Sequence, residues 1–149
     1  MPTIDELDRK IIRVMNRNAR KSFREIAKDV GTSVTAVIHT VKKLESEGAI
    51  QGYIPVIDPV RFGLDLIAAI ALRISQGKLL ETQRKIARDP HVTAVYDITG
   101  EWDSLVIAYF RGRDDLNDFL KKLNAMKYID RTVTHLVLNK VKDERRVPV

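Results

Sequence analysis

Residues 22–50 read SFREIAKDVGTSVTAVIHTVKKLESEGAI, and the reading of this stretch decides the N-terminal fold. Ser22 followed three residues later by Glu25 is a capping box, so the spacing predicts a helix beginning just after Ser22. Ile26, Ala27 and Val30 share one face of that helix, and Gly31 ends it, because glycine accepts the left-handed conformation of a helix stop. Thr32 or Ser33 then caps a second helix, whose apolar positions Val34, Val37, Val41 and Leu44 follow a helical period up to Gly48. A small residue at Ala27, a glycine at Gly31 and an apolar pin at Val37 are what two helices need to cross through a tight turn. The arrangement is a helix-turn-helix. On the outer face of the second helix the sequence places Thr35, Ala36, His39, Thr40 and Lys43, with Ser33 at its start. Small polar and basic side chains suit an element that enters a major groove and meets base edges and phosphates. The alternative is a plain helical hairpin with a solvated charged face.

Working outward, residues 4–18 form an amphipathic helix with Leu7, Ile11, Val14 and Met15 on its apolar side and Asp5, Glu6 and Asp8 near its start. A three-helix unit over residues 1–50 is expected, since two short helices bury too little surface alone. Arg9, Arg13, Arg17, Arg20, Lys21 and Arg24 either help to grip phosphates or are ordinary solvated charges. Residues 51–66 change character: Tyr53 to Ile57 is an extended segment in which Pro55 permits only an edge strand, and Asp58-Pro59 and Gly63 mark turns. This is read as a linker.

From Leu66 the pattern alternates between strand and helix. Strands are expected at 67–75, 92–99, 104–110 and 129–141, and helices at 78–88 and 113–126. The second helix carries Leu116, Phe119, Leu120 and Leu123 at helical spacing. The order βαββαβ is ferredoxin-like, so residues 67–143 should form an antiparallel sheet with two helices on one face. The fold class is α+β, and residues 144–149 read as a frayed tail. The other sheet face needs cover, which self-association would provide.

Composition bounds the function. The chain has 149 residues, 44% of them hydrophobic and 31% charged, with a net charge of +6 and a pI near 9.7. The basic excess fits a polyanionic partner without identifying one. No apolar run reaches bilayer-spanning length and no signal-peptide pattern opens the chain, so a cytoplasmic protein with no membrane partner is expected. Zero cysteines exclude disulfides, thiolate metal sites and a cysteine nucleophile. No phosphate-cradling glycine loop, dinucleotide fingerprint or zinc-protease helix is present, and His39, His91 and His135 are scattered. No enzyme, cofactor or metal is expected.

Taken whole, the chain resembles the Lrp/AsnC (leucine-responsive, feast/famine) family of transcriptional regulators. The resemblance rests on LDRKIIRVM at 7–15, SFREIAKDVGTS at 22–33, LESEGAIQGY at 44–53, IDPVRFG at 57–63 and TGEWD at 99–103. It implies a DNA-binding domain, an effector domain that binds a small amino-acid-like molecule, and homodimers that assemble further, for instance into octamers. Three residues after Val37, where members often carry arginine, this chain has Thr40, preceded by His39. The family places effector contacts at the TGEWD turn, which implicates Gly100, Glu101, Trp102 and Asp103. Backbone amides around Gly100 would hold an effector's carboxylate and Asp103 its ammonium. Thr132 and Thr134, two apart on the last strand, would approach such a turn from a neighbouring subunit. Trp102 would line the pocket or pack between subunits, and Arg131 falls on the opposite strand face. The competing reading is a hairpin turn in which Asp103 caps a local amide. Two alternatives of function stand beside the regulator. One is an architectural DNA-binding protein that ignores metabolites; the other is an enzyme on the same architecture, in which His91 or His135 would act.

Overall fold

A computed structural model describes residues 3–149. The chain divides into two compact units, one running to Val56 and taking in Lys142–Val149, the other formed by Ile57–Val141.

The first unit holds three helices, α1 (Glu6–Arg17), α2 (Phe23–Val30) and α3 (Val34–Ser46). Each starts on a side-chain cap. Ser22 and Glu25 close the expected capping box on α2, and Ser33 accepts from the Ala36 amide at the start of α3. Asp5 and Asp8 form an equivalent box on α1, with the second carboxylate where Glu or Gln is usual. Gly31 ends α2 at φ +77°, and its amide donates to Ala27 O at 2.9 Å. Ile11, Met15, Ile26, Ala27, Val37 and Val41 form the core where the helices meet. Lys142–Val149 belong to this unit, whereas a free tail was expected from Glu144; the main-chain oxygen of Val149 accepts from Arg13 Nε at 2.7 Å.

In the second unit the order is β1 (Leu66–Ile74), α4 (Leu79–Ile86), β2 (Val92–Asp97), β3 (Ser104–Phe110), α5 (Arg113–Asn124) and β4 (Ile129–Leu136). The four strands form an antiparallel sheet in the order β2-β3-β1-β4. Ala68, Ile70, Leu72 and Ile74 alternate onto one face and pack with Val106, Ala108 and Phe110 beneath Ile86, Leu116, Phe119 and Leu123 of the two helices. Fully burying a side chain such as Phe110 contributes about 1.5–3 kcal/mol, so this layer supplies much of the unit's stability.

Three expectations shift. Tyr53–Ile57 is extended but has no strand partner among the described residues, and Tyr53, Ile54, Val56 and Ile57 are exposed. Pro59–Phe62 winds into a 3-10 turn capped by Asp58, more ordered than the isolated turns read there. The last strand stops at Leu136, five residues early, where the ladder with β1 runs out at Ala68. Among the described residues no helix is long and apolar enough to cross a membrane.

Candidate nucleic-acid interface and effector site

The candidate nucleic-acid surface lies on α3. Val37, Val41 and Leu44 are buried against the other helices, which turns the opposite side of α3 outward. Thr35 and His39 are exposed there, Ala36 is half-buried beside them, and Ser33 is exposed at the cap with its hydroxyl engaged by the Ala36 amide at 3.1 Å. Lys42 continues the exposed row, seven residues after Thr35 and three after His39. The sequence reading passed over Lys42, although extending the helical period from Thr35 reaches it.

Two residues assigned to that outer face are elsewhere. Thr40 is buried, because it sits three residues after Val37 and four before Leu44, inside the stripe that meets the core. Lys43 is half-buried and turned to α1, its ammonium 3.0 Å from Asp8 Oδ2. The same Asp8 oxygen accepts from the Asp5 amide at 2.9 Å. Burial alone would raise the Asp8 carboxyl pKa. The Asp5 amide and the Lys43 ammonium outweigh it, so the carboxyl titrates below its ordinary range. Lys43 in turn is raised, chiefly by its hydrogen bond to Asp8. This lysine ties α3 to α1, a role no local spacing reveals.

The TGEWD turn closes the β2–β3 hairpin. Gly100 adopts φ +112°, and a side chain built there would meet nothing within 4 Å, so the main chain at its tip is open to approach. The base of the turn is fastened at three points. Ile98 N donates to Asp103 O at 3.2 Å, Asp103 N to Leu72 O at 2.9 Å, and Ile74 N to Asp103 Oδ2 at 2.8 Å. The last bond lies just past Leu72–Ser104, where the β1–β3 ladder ends, so Asp103 satisfies an amide that the ladder leaves unpaired. Below, Ser104 Oγ donates to Tyr96 O at 2.9 Å and accepts from Gln83 Nε2 of α4 at 3.2 Å, a buried link between hairpin and helix. One Asp103 oxygen is thus committed to the local amide, as the competing reading had it. Oδ1 makes no hydrogen bond among the described residues.

Glu101 is exposed and Trp102 half-buried. The Arg131 guanidinium lies 5.1 Å from the Trp102 ring centroid, and its Nη1 is 3.9 Å from Glu101 Oε1. Arg131, set aside in the sequence reading, is therefore the β4 residue that meets the turn of its own chain. Thr132 and Thr134 do not join it. They pair with Leu72 and Ile70, which point to the helix layer, and Thr132 Oγ1 donates to Asn124 Oδ1 of α5 at 3.1 Å.

Of the two histidines named for the enzyme alternative, His91 is engaged in structural contacts. His91 has Nδ1 2.7 Å from Asp89 and Nε2 3.1 Å from Asp115, and its ring stacks on Phe110. Both nitrogens are occupied in joining the start of β2 to α5. Asp115 is held below the usual carboxylate range, first by the Arg111 amide and then by His91.

A capped helix-turn-helix with a polar outward row, followed in the chain by a ferredoxin-like unit, defines a two-part transcriptional regulator. Comparison with known proteins agrees. Residues 4–45 match the AsnC-type helix-turn-helix domain and residues 67–147 the Lrp/AsnC ligand binding domain. Over 144 residues the chain is 42% identical to an HTH-type transcriptional regulator of Pyrococcus furiosus, covering 97% of both chains. Among solved structures, Escherichia coli AsnC superposes with a TM-score of 0.90 at 27% identity, over 99% of this chain and all of that one. A Neisseria meningitidis transcriptional regulator in complex with L-Met gives 0.89 at 26% identity, over 98% of this chain and 97% of that one. The chain belongs to the Lrp/AsnC family of DNA-binding transcriptional regulators, which are not enzymes.

Proposed function

We propose that this regulator reads double-stranded DNA through the exposed row of α3 and that an amino acid bound at the TGEWD turn changes its assembly or DNA affinity. The observation that carries the first half is the outward alignment of Thr35, His39 and Lys42. Thr35 and His39 have the donors and acceptors to meet base edges, Lys42 is placed for a phosphate, and Ala36 leaves room for close approach. Ser33 contributes as the cap that positions the start of the helix.

For the second half, open main chain at Gly100 receives the effector's carboxylate and the uncommitted oxygen of Asp103 its ammonium, with Glu101 and Trp102 at the rim. Thr132 and Thr134, which face the helix layer of their own chain, serve such a site only from a neighbouring copy. The complex of the Neisseria relative with L-Met supports an amino-acid ligand. The working unit is a homodimer capable of forming higher oligomers such as octamers. Support comes from the sheet face away from the helices, where Ala69, Leu105, Ile107 and Val133, each only half-buried, form an apolar surface that a second copy would bury.

Thermal-shift screening of the twenty amino acids tests the reading, because a ligand that binds only the folded state raises its stability. A hit that also alters retardation of operator DNA is expected. If no amino acid moves the melting temperature, the protein is an architectural DNA binder instead.

A further inference from the structure

The proposed site carries a charge pattern that an uncharged amino acid does not answer. Arg73 of β1 and Arg131 of β4 are direct register partners, and both lie on the sheet face turned away from the helices, as do Ala71 and Val133 one pleat earlier. Like charges directly opposite one another on one face repel. Within the chain little relieves them. Glu101 stands 3.9 Å from Arg131 with both side chains largely exposed, and the Arg73 side chain makes no hydrogen bond or ion pair among the described residues. With the Asp103 carboxylate held by the Ile74 amide and matched in the proposed site by the effector's ammonium, the two guanidiniums face Glu101 alone. One positive charge is left for the effector's side chain.

The two cations are also arranged for use. Trp102 lies under the Arg131 guanidinium and restricts its plane. Asp103 pins the end of the turn to the Ile74 amide, the residue after Arg73, so the open main chain at Gly100 and the arginine pair belong to one fastened patch. A guanidinium offers a fork of N–H donors and no acceptor, and its natural complement is a carboxylate.

We infer that the effector is a dicarboxylic amino acid, whose side-chain carboxylate is taken between Arg73 and Arg131 while the turn holds the α-carboxylate and ammonium. This rests on the amino-acid reading of the turn and adds the chemical class. A second carboxylate neutralises the surplus charge and relieves the repulsion across the strands. A neutral side chain does neither, and a basic one adds a third cation.

Calorimetry on the full-length protein with L-glutamate, L-aspartate and their uncharged isosteres L-glutamine and L-asparagine tests the class. At least one acid should bind about tenfold more tightly than its amide, equivalent to about 1.4 kcal/mol. Arg73→Gln and, separately, Arg131→Gln should bring that acid down towards its amide. Since Arg73 has no partner to lose, Arg73→Gln should melt no lower than the parent, which separates a binding defect from a folding one. Amides that match the acids, or tightest binding by a neutral or basic amino acid, would overturn the dicarboxylate class and leave the amino-acid reading standing. Undiminished preference for the acid in both variants would remove the arginine pair from the site. Absence of binding by all twenty amino acids would overturn the effector reading itself.

Discussion

Asp8→Ala tests whether α3 is held by a buried carboxylate. The Asp8 side chain is 2% exposed, and one oxygen accepts from both the Asp5 amide and the Lys43 ammonium. Removing it deletes half of a capping box, about 1 kcal/mol. It also deletes a hydrogen bond to a charged partner, held to the low end of its range, about 1 kcal/mol, because Lys43 can turn to water. The sum is about 2 kcal/mol, which in a unit of this size lowers the melting temperature by roughly 8–16 °C. Asp8→Asn keeps the shape and one acceptor, so it should fall between the parent and Asp8→Ala. The pH dependence has a fixed sign. A carboxyl depressed in the folded state stabilises it above the ordinary carboxylate range, and that contribution is lost as pH falls through the depressed value. The acid side of the stability profile should therefore flatten in Asp8→Asn. Circular dichroism melts at neutral and acidic pH measure both effects. A melting temperature within roughly 2 °C of the parent, with an unchanged acid limb, would refute the claim that this carboxylate holds the unit together.

Lys42→Ala should lower the salt slope of DNA binding by about one, and Lys43→Met should leave the slope unchanged while lowering the melting temperature, as anisotropy titrations and melts would show. Asp103→Asn should abolish the effector response in calorimetry while keeping an acceptor for the Ile74 amide; Asp103→Ala should in addition cost about 1–3 kcal/mol of stability. Leu105→Glu, which sets a charge on the apolar sheet face, should convert the protein to monomers in light scattering at micromolar concentration and moderate salt. An assembly unchanged by Leu105→Glu would place the interface elsewhere.

What was legible in the sequence is what is local. Ser22 with Glu25, Gly31, and the Leu116–Phe119–Leu123 stripe each carry their structural meaning within one or two helical turns, and each is found where the spacing placed it. The errors came from distance. Thr40 has a polar side chain, and only the width of the face pressed against α1 and α2 decides that it is buried. The partner of Lys43 lies 35 residues away, so an outward lysine and an inward one look alike in sequence. Strand parity correctly separated Arg131 from Thr132, yet which face the turn would meet depends on the β2-β3-β1-β4 order and the reach of Trp102 towards β4. Extended Tyr53–Ile57 had every local mark of an edge strand, but a strand needs a partner, and the described residues supply none.

Selection of binding sites from a random duplex pool, by the full-length protein and by Thr35→Ala and His39→Ala variants, addresses recognition through the outward row of α3 most directly. The parent should enrich a two-fold symmetric site. Each variant should lose preference at particular base pairs in both half-sites, by roughly 1–3 kcal/mol per position. Identical enriched sites from all three proteins would contradict the assignment of α3 as the element that reads the bases.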